Sequence, residues 1–235
     1  MLTLATSLPY DQTPLFWGCS VFATIVGAIA GATAFSRHNM DLVGILACGT
    51  IASLGGGTVR DILLSGFVRA NGTPVTVYWM TEPDVEFLWQ ALITSFIIFI
   101  LARFLKQLPA GTIRIADAFS MAFFSLLGAA KCYYLGCPEI VCICMGVTTG
   151  VAGGALRDVL TGNVPYVFRS NEVYASASCA GCCVFIFMML LGIHINVSFI
   201  TGTAVVFITR MVAIRLNWRV PSYQPLFEAG KQQKP

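Results

Sequence analysis

The chain has 235 residues, of which 57% are hydrophobic and 11% are charged, and its net charge is +3. A soluble domain carries about 25% charged residues, so the charges in this chain are too few to cover a surface that faces water. Lipid is therefore the expected solvent, and a small net charge without a basic cluster argues against nucleic acid as a partner. The nine cysteines lie mostly in apolar runs, where cysteine packs as a small hydrophobe, so we expect neither a disulfide framework nor a tightly bound metal.

Seven segments are long and apolar enough to cross a membrane. A helix needs about 20 apolar residues to span the hydrocarbon core. The segments that meet this requirement are 15–36, 41–64, 85–105, 113–135, 138–160, 172–193 and 196–216. Short polar stretches such as KQLPAGT and GCPE separate them. The predicted fold class is an all-α membrane protein with seven transmembrane helices.

The residues between the spans indicate how the chain crosses the membrane. One side carries most of the basic residues, namely Arg37, Arg103, Lys106, Arg114, Arg169, Arg215, Arg219, Lys231 and Lys234. The other side carries Arg69 and a set of acids, namely Glu82, Asp84, Glu86 and Glu139. Because basic loops stay in the cytoplasm, we predict that the N terminus lies outside and the C terminus inside.

An offset of 97 residues aligns the first half of the chain with the second. GGTVRD at residues 56–61 meets GGALRD at residues 153–158. Other matched pairs are Phe22 with Phe119, Gly31 with Gly128, Ala32 with Ala129 and Gly49 with Gly146. Each copy contains three spans, an odd number, so the second copy enters the membrane from the opposite side. Such inverted repeats with glycine-interrupted helices indicate a transport pathway at their interface.

This repeat predicts the organisation of the chain. The first three-helix repeat occupies residues 15–108, and the inverted second repeat occupies residues 113–193. An unpaired seventh helix over residues 196–216 and a cytoplasmic tail over residues 217–235 complete this 3+3+1 arrangement.

Glycine clusters stand at the same place in spans 2 and 5. They comprise Gly55, Gly56 and Gly57 in span 2 and Gly153 and Gly154 in span 5. Each glycine inside a helix costs about 1 kcal/mol relative to alanine, so we predict that both spans are bent or unwound there. Exposed carbonyl groups would then replace part of the water shell of a cation. The alternative is close packing of helices, which we predict for Gly27, Gly31, Gly128 and Gly136.

An Arg-Asp pair follows each glycine cluster. Neighbouring side chains on a helix point about 100° apart, so neither Arg60-Asp61 nor Arg157-Asp158 is expected to close on itself. Each arginine is expected either to meet an acid on another span or to extend to the membrane interface. Asp117, near the start of span 4, is a candidate partner for a basic residue.

Four further polar residues within the spans are candidates for a place beside the pathway. Lys131 stands near the outer end of span 4, and its counterpart in the first repeat is Ala34. It is either an anchor at the interface or a cation beside the pathway. Thr50, Thr148 and Thr149 are candidate pathway hydroxyls, although a hydroxyl bonded within its own helix is the commoner case.

Seven spans in a 3+3+1 arrangement, with GGGTVRD and GGALRD in spans 2 and 5, resemble the prokaryotic branch of the trimeric intracellular cation channel family. Its domain is also described as a glycine transporter. The resemblance implies a homotrimer in the cytoplasmic membrane of a prokaryote, surrounded by lipid and needing no cofactor. Each subunit would hold its own pore, bounded by the kinked spans 2 and 5, for potassium and other monovalent cations.

The resemblance also implies roles for individual residues. The glycine clusters match the kinks, and Lys131 matches a basic residue involved in gating. The paired motif charges match Arg60, Asp61, Arg157 and Asp158.

Two other functions remain open from the residues alone. A secondary transporter of a small zwitterion such as glycine is equally compatible with inverted repeats and broken helices. A membrane enzyme is disfavoured because the spans contain no Ser/His or multi-carboxylate cluster. We therefore expect that the chain is not an enzyme.

Overall fold

Seven α-helices make up most of the part of the chain that the structure describes. The computed structural model describes residues 14–36, 41–67, 72, 74–81, 84–104, 110–168, 173–216 and 218. In chain order the helices are α1 (Pro14–Ser36), α2 (Leu42–Leu63), α3 (Glu86–Phe104), α4 (Ala110–Tyr134), α5 (Glu139–Leu160), α6 (Ala175–Leu190) and α7 (Ile195–Leu216). Short 3₁₀ turns at Tyr78–Met80 and Tyr166–Phe168 precede α3 and α6.

The helices confirm the predicted all-α fold class. Five of them, α1, α2, α4, α5 and α7, contain an apolar segment of 21 or 22 residues that is long enough to cross a membrane. The apolar segments of α3 and α6, Glu86–Ala102 and Ala175–Leu190, are shorter. The sixth span is thus shorter than predicted.

Each predicted repeat packs as a three-helix unit. Helices α1, α2 and α3 contact one another, and α4, α5 and α6 do the same. Between the units, α2 contacts α5 and α1 contacts α4, so the helices that are equivalent in the repeat meet each other. Helix α7, which has no counterpart, contacts α6 and α4. This packing is that of a 3+3 inverted repeat with an added seventh helix.

Burial distinguishes the central helix from the outer ones. In α4, 61% of the apolar segment is buried, the largest share among the five long helices. The outer helices α3, α6 and α7 instead expose large apolar side chains, among them Trp89, Phe96, Phe187, Ile200 and Ile208. Apolar side chains on the outside of a bundle suit contact with lipid or with another subunit.

Helices α2 and α5 continue without interruption through their glycine clusters. Each is a single α-helix over its whole length. The prediction that these segments are unwound is therefore wrong for this structure, whereas a bend of the helix axis stays a prediction. The helix persists because each glycine weakens it by only about 1 kcal/mol, which tertiary packing outweighs.

Gly136 serves a turn and does not pack helices together. Its φ is +71°, and apart from its chain neighbours no described residue has a heavy atom within 4 Å of the position that its Cβ would take. The N–H of Gly136 donates to the Tyr133 carbonyl at 3.0 Å, and that of Cys137 donates to the Cys132 carbonyl at 3.1 Å. These bonds close α4 with a left-handed glycine, so the packing prediction for Gly136 is wrong. Gly27, Gly31 and Gly128 do pack closely, against Ser53, Ala52 and Thr149 respectively.

The residues that predict the orientation are mostly not described. Arg37, Arg69, Glu82, Lys106, Arg169, Arg219, Lys231 and Lys234 lie outside the described residues. So does the tail over residues 217–235, apart from Trp218. The placement of the termini relative to the membrane stays a prediction.

Candidate functional site

Asp61, in the last turn of α2, lies at the centre of a buried ion cluster. Its Oδ1 is 2.8 Å from Arg60 Nε and 3.0 Å from the Nζ of Lys131, which lies at the end of α4. Its Oδ2 accepts a hydrogen bond of 3.0 Å from the backbone N–H of Tyr78. We call Arg60, Asp61, Lys131 and Tyr78 the Arg60 cluster. Both carboxylate oxygens are engaged, which offsets the cost of burying the charge.

The Tyr78 ring covers this cluster. Its centroid is 5.7 Å from the Arg60 guanidinium carbon and 6.0 Å from Lys131 Nζ, within the range of cation–π attraction. Burial raises the pKa of the Tyr78 phenol, so this side chain stays neutral and adds no charge. A Cβ on Gly57 would lie 2.6 Å from the Tyr78 ring, so the glycine leaves the space that the ring fills.

A second cluster surrounds Arg157, in the last turn of α5. Asp158 Oδ1 accepts hydrogen bonds from Arg157 Nε at 3.0 Å and Nη2 at 2.9 Å, while Asp158 Oδ2 accepts one from the backbone N–H of Tyr166 at 3.0 Å. Asp117 Oδ1, from the start of α4, is 2.7 Å from Arg157 Nη1. The Tyr174 hydroxyl also lies close to Asp117 Oδ1, since both atoms are within 3.2 Å of the position that a Cβ on Gly154 would take. We call these five residues the Arg157 cluster.

The two clusters repeat the same local geometry at opposite ends of the bundle. Each motif arginine bonds the aspartate beside it, and that aspartate accepts a backbone N–H from the following 3₁₀ turn. Helix α4 reaches both clusters, since Asp117 and Lys131 are separated along it by about 21 Å at 1.5 Å per residue. Both arginines lie in last turns, where the helix dipole favours positive charge.

These contacts correct and confirm different expectations for the charged residues. The expectation that neither Arg-Asp pair closes on itself is wrong, because the long arginine stem brings the guanidinium to a neighbour whose Cβ points elsewhere. The expectation that an arginine meets an acid on another helix is confirmed for Arg157 with Asp117. Lys131 is 5% exposed and paired with Asp61, so it is not an anchor at the interface.

The central glycines lie where α2 crosses α5. A Cβ on Gly56 would lie 2.0 Å from the Thr149 carbonyl oxygen, and one on Gly153 would lie 2.4 Å from the Ala52 carbonyl oxygen. Such distances leave no room for alanine, because backbone atoms are in the way. Close helix packing, the alternative to an unwound segment, therefore accounts for these two glycines. Gly55 instead faces the Leu156 side chain, and Gly154 faces the Tyr174 hydroxyl.

The three threonines differ in their hydrogen bonds. Thr148 Oγ1 donates to the Cys144 carbonyl at 2.8 Å, and Thr149 Oγ1 donates to the Met145 carbonyl at 2.6 Å. Both hydroxyls thus bond within their own helix, although Thr149 also lines a cavity. Thr50 Oγ1 is buried and has no hydrogen-bond partner among the described residues.

Two small cavities lie between the clusters, and Phe124 borders both of them. The cavity on the Arg157 side has a volume of about 10 Å³, and its lining includes Gly56, Asp117, Ser120, Thr149, Gly153 and Arg157. The cavity on the Arg60 side has a volume of about 40 Å³, and its lining includes Ser20, Thr24, Arg60, Tyr78, Asp84 and Lys131. Clusters and cavities therefore follow one another through the middle of a single chain.

Several residues of this interior are absent from the sequence-based prediction of the site. Phe124 aligns with Gly27 in the repeat, and this difference in side-chain size is the feature of the sequence that could have indicated Phe124 as a residue of the site. Tyr78, Asp84 and Tyr174 stand in or next to connecting segments, where the repeat alignment carries no signal. Arg210 is a buried arginine inside the apolar α7, and its charge at that depth was a signal in itself.

These features define a class of protein. The chain is a multi-pass helical membrane protein built as an inverted repeat, with buried charges and small cavities along the interior of one protomer.

Comparison with known proteins places it in a family. The model of the family described as glycine transporter matches residues 19–103 and 114–190, and the chain belongs to this family. A UPF0126 membrane protein of Vibrio cholerae is 31% identical over 90% of this chain and 84% of its own length. The UPF0126 inner membrane protein YadS of Escherichia coli is 30% identical over 89% of this chain and 96% of its own length. These relatives and the apolar helices support a multi-pass inner-membrane protein of a prokaryote.

Solved structures confirm the resemblance to the trimeric intracellular cation channels. The TRIC trimeric intracellular cation channel orthologue from Rhodobacter sphaeroides superposes with a TM-score of 0.77 at 27% identity, covering 87% of this chain and 99% of its own. This likeness supports a cation channel. It also confirms that the chain is not an enzyme, since these neighbours are channels.

Proposed function

We propose that the chain forms a homotrimeric channel for potassium and other monovalent cations, with one pore inside each protomer. The observation that carries the proposal is the series of cavities and charge clusters between α1, α2, α4 and α5 of one chain. Because one chain contains both halves of the inverted repeat, it has both walls of a pathway. The similarity to solved cation channels supports the same conclusion.

The proposed path runs from the Arg60 cluster past Phe124 to the Arg157 cluster. Cavities of about 10 and 40 Å³ have room for about one and a few water molecules, which is too little for a hydrated cation. Conduction therefore requires the interior to widen, and we expect the Phe124 ring, which borders both cavities and lies next to Gly27 of α1, to move. Phe124→Leu, which shortens this side chain, should raise the unitary potassium current, whereas Phe96→Leu on the exposed face of α3 should not.

We assign the gating role to Lys131. Its ammonium group borders the larger cavity and is held by Asp61 at 3.0 Å. A charge that crosses the whole membrane field changes energy by about 2.3 kcal/mol per 100 mV. Lys131 stands at one end of α4 and would cross only part of the field, so its voltage dependence should be shallow.

The glycine clusters receive a changed role in this proposal. Gly56 and Gly153 allow α2 and α5 to touch backbone to backbone at their crossing. A contact without side chains lets two helices slide or bend against each other with little repacking. We therefore propose that these glycines form a pivot for opening, and that the bend appears there when the pore opens.

A carrier for a small zwitterion is the second candidate. The cavity linings contain both signs of charge, as recognition of a carboxylate and an ammonium group requires. The description of the matching family model favours glycine as the cargo. A carrier would have to free these charges from their present ion pairs.

Recording from purified protein in a planar bilayer separates the two functions. A channel gives unitary current steps that reverse at the potassium equilibrium potential in a KCl gradient. Saturable uptake of labelled glycine into vesicles, without current steps, would overturn the channel. The mass of the purified protein in detergent, corrected for bound detergent, tests the trimer, and a monomer or dimer would contradict it.

A further inference from the structure

Every buried charged side chain among the described residues belongs to the two clusters or touches one of them. These residues are Arg60, Asp61, Lys131, Asp117, Arg157, Asp158 and Arg210. Six of them have been placed above, and Arg210 on α7 is the seventh. We propose that Arg210 is the second cation of the Arg157 cluster. Its charge balances the acids at that mouth of the pore, as the charge of Lys131 does at the other mouth. The inference rests on the proposed function.

Arg210 reaches from α7 into the second repeat. Its side chain is deeply buried, with the residue 2% exposed, and Nη1 donates to the Val173 carbonyl at 3.1 Å. The guanidinium carbon is 4.8 Å from the centroid of the Tyr174 ring, closer than Arg60 or Lys131 comes to the ring of Tyr78. A cation is retained at such depth only where its surroundings compensate the charge.

Tyr174 connects Arg210 to the motif. Its hydroxyl lies close to the Asp117 carboxylate, which in turn pairs with Arg157. A Cβ on Gly154 would lie 2.6 Å from this hydroxyl and 3.2 Å from Asp117 Oδ1, so the glycine leaves room for the contact. Arg210 thereby holds the ring that positions Asp117 against Arg157.

The Arg60 cluster contains the same three parts from different elements. There the glycine is Gly57, the ring is Tyr78, and the second cation is Lys131, at 6.0 Å from the ring centroid. The repeat places Ala34 as the counterpart of Lys131, and alanine cannot supply a charge. The unpaired helix α7 supplies the missing cation through Arg210.

The balance of charge supports the same assignment. Arg60 and Lys131 face Asp61 and also Asp84, which borders the same cavity. At the other end, Arg157 and Arg210 are matched by Asp117 and Asp158. Removal of Arg210 leaves the Arg157 cluster with an excess of one negative charge, which attracts cations to that mouth alone.

Arg210→Gln in planar bilayers tests this consequence, with Arg215→Gln as the matched control. Arg215 is an exposed arginine on the same helix. In 50 mM KCl we expect Arg210→Gln to raise the potassium current that enters at the Arg157 mouth about twofold, the effect of one charge acting through water over several ångströms. The current should rectify, and the effect should disappear in 1 M KCl because salt screens the charge. Arg210→Lys keeps the charge and should retain the wild-type ratio of the currents that enter at the two mouths. Arg215→Gln should leave this ratio unchanged.

The inference is overturned if Arg210→Gln folds and keeps the wild-type rectification, or if Arg215→Gln changes it equally. A second measurement does not depend on conduction. Arg210→Gln and Tyr174→Leu should lower the melting temperature by less in combination than the sum of their separate effects, whereas Arg215→Gln and Tyr174→Leu should add. If the falls in melting temperature caused by Arg210→Gln and Tyr174→Leu are additive, Arg210 does not interact with the cluster. A wild-type protein without unitary currents would instead refute the proposed channel, and the melting temperatures would then decide on the cluster alone.

Discussion

The Arg60 cluster and the Arg157 cluster share one motif but differ in what α4 brings to it. At the end of α2, Lys131 adds a cation that shares Asp61 with Arg60. At the end of α5, Asp117 adds an acid that shares Arg157 with Asp158. An inverted repeat therefore preserves the geometry of the motif while the residues around it make the two mouths different. This difference gives the pathway a direction, because a cation entering at one end meets the charges in a different arrangement from those at the other end, even though cations and acids are equal in number at both.

The largest expected effect separates the two motif aspartates. Asp61→Asn leaves Arg60 and Lys131 buried beside a neutral amide, and breaking such a pair costs about 3–5 kcal/mol of folding free energy. Asp158→Asn should cost less, because Arg157 keeps Asp117. Thermal unfolding in detergent measures both, with Glu139→Gln on an exposed position as the control. Equal losses at Asp61 and Asp158 would show that the second partner of each cluster is unimportant.

Substitution of the two glycines at the helix crossing should lower stability by similar amounts, in contrast to substitution of the two motif aspartates. Gly56→Ala and Gly153→Ala each push a methyl group into a carbonyl oxygen of the facing helix, and overpacking of this kind costs about 1–3 kcal/mol. Gly18→Ala in α1 is the matched control, since apart from its own helix backbone and chain neighbours no described residue has a heavy atom within 4 Å of its Cβ position. Melting temperatures of the three variants decide the matter. A stability of Gly153→Ala equal to that of Gly18→Ala would contradict the close crossing.

Neutralising the charge that α4 contributes should have opposite effects at the two mouths. Lys131→Gln removes a cation beside the pathway and should raise potassium current, while Asp117→Asn removes an acid and should lower it, each by about twofold in dilute salt. Single-channel recording of each variant, with entry from each side, is the measurement. Lys131→Arg keeps the charge and serves as the control. If the potassium current changes in the same direction in both variants, the proposed difference between the two mouths is wrong.

The smallest expected effect concerns a hydroxyl that the second repeat has and the first lacks. Thr148→Ile places there the residue found at the equivalent position, Ile51. Because the Thr148 hydroxyl bonds within its own helix, the change should alter stability by less than about 0.5 kcal/mol and leave conductance unchanged. A clear drop in unitary current would contradict this prediction and show that Thr148 lines the pore.

Much of the architecture was predictable because it follows from the solvent. In lipid every backbone group must be bonded internally, so apolar length leads directly to helices. The sixth helix was shorter than predicted, because hydropathy alone does not show where a glycine turn ends a helix. Part of the site was also predictable, since the recurrence of GG-x-x-RD marked both motifs and Asp117 was recognised as a partner for a basic residue.

The sequence by itself determined the seven spans, the inverted repeat and the residues that carry the paired charges, because charge and glycine are rare in an apolar chain and their spacing is visible. Only the tertiary structure decided which groups meet. The glycines that were predicted to unwind instead lie at a close helix crossing, because the backbone of a distant helix occupies the space that a side chain would need. Lys131 met Asp61, and Arg210 reached Tyr174, because helices far apart in the chain pack side by side. Partner choice depends on distances of a few ångströms, and a sequence read along one dimension contains no such distances.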